Sequence, residues 1–146
     1  MTSKRETVLQ ALLALITGAF PAPRFVDVKR GEVLPEELTS DGLVILRDGD
    51  PGEPEATLSP LTYHFEHIAE VELFARGKDG LREARFDDMA AKIGAAILAD
   101  RTLGGLCDWV EADAPAPEDL PVPGADTIKA AVIRVTLHYS TSDPLN

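Results

Sequence analysis

The stretch from Leu61 to Arg76 restricts the fold more than any other part of the chain. Tyr63, Phe65, His67, Ala69, Val71, Leu73 and Ala75 fall on one side of an extended backbone. Thr62, His64, Glu66, Ile68, Glu70, Glu72 and Phe74 fall on the other. This is the period-two pattern of a strand with one apolar and one polar side. At about 3.3 Å per residue such a strand spans roughly 50 Å if unbroken, which is long for a chain of 146 residues. It is expected to bend, carry a bulge or project past the core. Ile68 and Phe74 are apolar on the otherwise acidic side. Single exposed apolar residues are ordinary, but with the strand's excess length these two suit a surface covered by a neighbouring subunit.

The other elements follow from shorter patterns. Ser3 and Glu6 form an S-x-x-E capping box. Val8, Leu12, Leu15 and Ile16, widened by Leu9 and Leu13, then predict an amphipathic helix ending at Gly18, with Pro21 and Pro23 keeping it from resuming. Residues 24–29 fit a short strand, residues 30–42 a loop, and Leu43–Leu46 a buried strand. Asp48–Pro54, D-G-D-P-G-E-P, predicts a turn-rich loop, and Gly77–Gly80 a tight turn. Phe86, Met89, Ala90, Ile93, Ala96 and Ile97 predict a second helix, with Asp87 and Asp88 suited to its positive N-terminal end. Residues 103–110 read as Gly-broken strand or loop, and residues 112–126, with four prolines, as a surface loop. Residues 127–139 form the last strand, with Ala131, Ile133, Val135, Leu137 and Tyr139 on one face. No internal repeat is present. Two helices are too few for βαβ alternation. The expected fold is α+β, a mainly antiparallel sheet of about four or five strands with both helices on one face, in a single domain over residues 1–146.

Composition is globular, 45% hydrophobic and 27% charged. No apolar run approaches the roughly 18 residues of a membrane span. The acidic and polar residues after Lys4 and Arg5 argue against a secretory signal. The single cysteine, Cys107, gives no sign of an oxidising compartment. Net charge is −11, unevenly spread. Residues 1–30 hold five bases and two acids, residues 31–60 one base and eight acids, and residues 113–126 four acids and no base. Nothing here is the basic stripe of a nucleic-acid binder, and an acidic surface repels phosphate.

The residues capable of chemistry do not converge. His64 and His67 point to opposite sides of a strand and miss the H-E-x-x-H helical spacing of a metal site. Asp48, Asp50 and Glu55 lack the order of a calcium loop. There is no nucleophile elbow, Walker A loop or dinucleotide fingerprint. The pair Gly104-Gly105 suits a tight turn. Cys107 has no base assigned to it and reads as an inert buried thiol. Trp109, the only tryptophan, reads as core or as an interface anchor. No catalytic, cofactor-binding or metal-binding residue is assigned. Ile68, Phe74 and Trp109 are the candidate subunit-interface residues.

Several segments carry a resemblance: the opening V-L-Q-A-L-L-A-L helix, G-L-V-I-L-R-D-G at 42–49, and L-S-P-L-T-Y-H-F-E-H at 58–67. A-D-R-T-L-G-G-L-C-D-W-V at 99–110 and the closing H-Y-S-T-S-D-P-L at 138–145 continue it. Together they resemble the tail-terminator, or tail-completion, proteins of long-tailed phages, especially those of alphaproteobacterial gene transfer agents. The acidic Pro-rich stretch at 113–126 matches least. The resemblance implies a structural virion protein, made in the bacterial cytoplasm, without enzymatic activity, cofactor or membrane contact. Its copies, usually six, would form a ring that ends the tail tube and joins it to the neck and head. One face would copy the tube-protein contact and the other would not, so that growth stops. The implied partners are further copies of itself, the tail tube protein and a neck or stopper protein, with DNA passing through without tight binding. The alternatives are another head-tail connector, such as a stopper or adaptor, and a small acyl-transfer or hydrolytic enzyme using Cys107 and a histidine.

Overall fold

The computed structural model describes residues 2–22, 25–36, 38, 40–78, 80–117 and 128–146. Helix α1 spans Lys4–Ala19. Its N-cap is Ser3, whose Oγ accepts the Glu6 N–H at 3.2 Å. The Glu6 carboxylate does not close the box; it binds Arg30 with both oxygens, at 2.7 and 2.8 Å. Val8, Leu9, Leu12 and Ile16 are buried. The helix does not end at Gly18. It runs one residue further, and burial of Phe20 as the C-cap sets the end.

Seven strands follow among the described residues: β1 Val26–Arg30, β2 Gly42–Asp50, β3 Glu55–Thr57, β4 Thr62–Arg76, β5 Trp109–Ala112, β6 Ala116–Pro117 and β7 Ile128–Thr141. They form one sheet in the order β1-β2-β4-β7-β5, with β3 also beside β4 and β6 also beside β7. Among the described residues, only β1 and β2 run parallel; the other pairings are antiparallel. The count exceeds four or five because β3 and β6 are too short to leave a periodic signal.

The long strand is β4, and it keeps its partner β7 along its length. β7 pairs with it from Tyr63↔Thr141 to Arg76↔Ile128 without a shift. The irregularity lies in β2, where Arg47 faces Glu70 but Asp50 faces Ile68, one residue out of step. Gly49 occupies this bulge at φ +70°, and a Cβ there would stand 1.9 Å from the Ile68 carbonyl oxygen. That bulge carries β2 through Asp48–Asp50, where the sequence predicts a loop. The glycine that reads as a turn signal is the residue that keeps the ladder going.

Helix α2 spans Leu81–Ala99 and buries Phe86, Met89, Ile93 and Ile97. It starts earlier than its apolar pattern, with the Glu83 carboxylate accepting the Gly80 N–H at 2.9 Å. Asp87 and Asp88 therefore sit past its first turn, and Asp88 pairs with Lys92 at 2.9 Å. Both helices pack on the face of the sheet that carries Phe65, Ala69, Val71, Leu73, Val135, Leu137 and Tyr139, forming the main core. This is the α+β arrangement the periodicities predict. A smaller cluster lies elsewhere: Leu38, Leu43, Ile45, Phe74 and Ala130, with Leu34 and Ile128 against them. Leu43, Ile45 and Phe74 alternate with main-core neighbours, so this second cluster sits on the opposite face of the sheet. Leu34 and Leu38, from between β1 and β2, cover it.

Candidate functional site

The second face of the sheet is covered at one end and bare at the other. At the covered end Phe74 is only 1% exposed. It is packed with Leu38, Leu43, Ile45 and Ala130, so this conformation spends it on the chain's own folding and gives no neighbour access to it. Ile68, three alternations away, is half-buried, and Trp109 is 41% exposed. The structure therefore separates the three candidate interface residues. Ile68 and Trp109 lie on the bare half; Phe74 does not.

Register places the bare half rung by rung. Trp109 faces His138, and His138 faces Glu66. The next rung with the same facing is Glu111, Thr136, Ile68 and Asp50. The third is Arg134, Glu70 and Arg47, and Arg47 is tied to Glu72 by an ion pair. Trp109 lies flat on His138, with ring centroids 4.4 Å apart and planes 8° from parallel. Beside His138 is a concavity of about 270 Å³ lined by Glu53, Glu55, His64, Glu66, Asp108 and His138 together with Phe65 and Tyr139. A shallower one of about 550 Å³ surrounds Ile68 and includes Glu66, Glu70, Asp50 and Arg134. The His138 partnership gives no sequence signal, because a histidine on a polar strand face is unremarkable until register sets an indole beside it.

Of the groups with nucleophilic or acid–base potential, Cys107, His67 and Tyr139 lie on the helix side, whereas His64 and His138 lie on the other. Cys107 is 5% exposed, and burial pushes its thiol up to about 11; a thiol held this way stays protonated near neutral pH. His67 is 1% exposed. Its Nε2 lies 2.5 Å from the Asp48 carbonyl oxygen and its Nδ1 2.9 Å from the Tyr139 hydroxyl. A carbonyl only accepts, so Nε2 carries the proton and Tyr139 donates to Nδ1. Burial lowers the His67 pKa and raises that of Tyr139 to about 12. His67 is thereby a neutral tie between β2, β4 and β7. His64 is on the opposite side of the strand, exposed, with Nε2 2.9 Å from Thr57 Oγ1.

The remaining motif residues are structural. Asp48 binds Arg30, and Asp50 accepts the Gly52 N–H at 2.8 Å. Gly104 and Gly105, both at positive φ, form a turn in which the Asp100 carboxylate accepts the Gly104 N–H. Among the described residues, no three of His, Cys, Asp or Glu are grouped to hold a metal ion. No helix among them is long and apolar enough to cross a membrane. Most of the acidic Pro-rich stretch, residues 118–126, lies outside the described residues.

No protein-family model matches the sequence, and no curated protein matches it. Among solved structures, the fold is similar to the sheath/tube terminator of an extracellular contractile injection system, PVC, in its extended state. The TM-score is 0.49 at 12% sequence identity, over 93% of this chain and 56% of that one. The chain thus spans little more than half the length of that protein.

Proposed function

We propose that this chain is a structural protein of a phage-type tail whose copies close into a ring, six in number, that ends the tail tube and meets the neck. The observation that carries the reading is a pair of unlike open edges on one sheet. Among the described residues, β1 is paired only through β2, and β5 only through β7. An unpaired strand edge is a row of hydrogen-bonding groups seeking partners. Two different edges on one subunit supply the two different surfaces that a head-to-tail ring requires, whereas a two-fold dimer needs only one. The sequence resemblance to tail terminators, carried by segments along nearly the whole chain, points the same way.

On this reading the protein turns over no substrate, and its mechanism is geometric. One end of the ring accepts the last tube ring and the other offers no site for the next. DNA passes without being held, because each basic contact to phosphate would add a salt-dependent grip. The exposed acids Asp48, Asp50, Glu53 and Glu55 belong to a surface that repels the duplex. A stopper or adaptor at the same junction would share these surfaces and differs in what it touches. The test is to add the purified chain, below stoichiometry, to tail tube protein that is polymerising. Tubes capped at one end by a ring and arrested in length are expected. Tubes that grow on with bare ends would overturn the reading.

A further inference from the structure

We infer that the bare half of the second sheet face, from Trp109 to Ile68, is a docking surface for an arginine-bearing segment of another protein. The inference does not depend on the ring. A solvated antiparallel sheet face is ordinary, and three observations set this one apart. Its indole is displayed. Trp109 is 41% exposed on an edge strand, with one ring face held flat against His138 at 4.4 Å. A tryptophan fixed by its neighbour is a preformed platform, and a guanidinium stacks on such a surface better than any other cationic side chain.

Its charge is also one-sided. The two rungs nearest the indole carry Glu66, Glu111 and Asp50, with Glu53, Glu55 and Asp108 around them. No lysine or arginine stands on those rungs; the first are Arg134 and Arg47, one rung beyond Ile68, and Arg47 is paired with Glu72. Carboxylates flanking an aromatic ring offer a guanidinium both a face to stack on and oxygens for its five N–H donors. Charge complementarity excludes a phosphate backbone and selects a basic protein segment. Lastly, the surface is the uncovered remainder of a face whose other half the chain covers itself, through Leu34 and Leu38 on Phe74 and Ile45. Ile68 is separated from the covered residues by the rung of Arg134, Glu70 and Arg47, half-buried in a shallow concavity, where a segment lying across the strands would reach it.

The experiment uses the whole chain and a hexa-arginine amide peptide at low salt, with hexa-lysine amide as comparator. Trp109 is the only tryptophan, so its fluorescence reports directly, and calorimetry covers the variants that lack it. Saturable binding is expected, tighter for arginine than for lysine. The double variant Glu66→Gln/Glu111→Gln should weaken it about tenfold, as should Trp109→Leu. Both glutamates are exposed, so the double variant keeps the fold. The control Glu32→Gln/Glu36→Gln removes two exposed acids elsewhere and should leave binding unchanged. An absence of saturable change would overturn the inference, as would equal losses in both double variants or no preference for arginine.

Discussion

Arg30 holds both oxygens of Glu6, at 2.7 and 2.8 Å, while its Nε and second amino group hold Asp48 at 2.8 and 3.0 Å. One guanidinium on β1 thereby joins the first turn of α1 to the far end of β2. Hydrogen bonding to Arg30 is the largest cause that lowers the Glu6 pKa from 4.5 to about 2. A carboxylate with a depressed pKa in the fold stabilises it above its unfolded value and loses that contribution as pH falls. The Glu6 carboxylate is 36% exposed, so solvent screens the pair and its worth is about 1 kcal/mol. Glu6→Gln should therefore lower stability by that amount at pH 7. In urea titrations the gap to the natural chain should shrink as pH drops from 4.5 toward 2. An equal gap across that window would show that Glu6 acts through packing and not through charge.

His67 acts in a different window. Its neutral ring donates to the Asp48 carbonyl and accepts from Tyr139, and burial holds its pKa below 6.5. The unfolded chain takes up a proton that the fold resists. The neutral histidine's contribution is thus complete above pH 6.5 and declines as pH falls below it. The melting temperature should drop between pH 6.5 and 5, before Glu6 begins to matter. His67→Leu should be less stable at pH 7, because it leaves the Asp48 carbonyl and Tyr139 hydroxyl without their partner, yet flatter over the same range. A slope unchanged by the substitution would assign the pH dependence to other groups.

These two ties mark the limit of what the sequence conveys. The period-two run at 61–76 and the apolar spacing of α1 and α2 identify β4, both helices and the core side of β7, because a buried face writes itself into the order of residues. The same run does not separate Ile68 from Phe74. Both break an acidic face, and only the segment carrying Leu34 and Leu38 decides which is covered. β3 and β6, at three and two residues, are too short to hold a period. The Trp109–His138 stack depends on register between strands far apart in the chain, to which local pattern is blind. Arg30 reads as a charge at a strand end until folding brings Glu6 and Asp48 to it.

Gly49 and Gly94 should respond in opposite ways to alanine. At Gly49 the backbone is at φ +70° and the new Cβ would meet the Ile68 carbonyl at 1.9 Å. The bulge must open or the ladder to β4 must break, and a loss of at least about 2 kcal/mol is expected. Gly94 lies within α2, exposed, with nothing within 4 Å of an added Cβ. Alanine there should add about 0.5–1 kcal/mol by restricting the unfolded chain and favouring helix. Chemical denaturation of the two variants checks both signs. A neutral Gly49→Ala would mean that the bulge can be repacked at little cost.

Ile68 and Phe74 should separate folding from association when each is changed to aspartate. Phe74 is 1% exposed inside the cluster beneath Leu34 and Leu38. A carboxylate there is buried without a partner and the aromatic packing is lost, at about 3–5 kcal/mol or more. That is enough to unfold a chain of ordinary marginal stability, so Phe74→Asp should give poorly soluble or unfolded protein and cannot report on an interface. Ile68 is half-buried on the bare face, with Thr136 as its cross-strand neighbour in β7. Aspartate at that position remains within reach of water and should cost the isolated chain little, about 1 kcal/mol. If the bare face is covered in the assembly, the same substitution buries a charge against a partner and association should fall by tenfold or more, about 1.4 kcal/mol. Circular dichroism and light scattering on the two variants make the comparison. A folded Ile68→Asp that associates as the natural chain does would remove this half of the sheet from the contact, leaving the open edges of β1 and β5 to carry assembly alone.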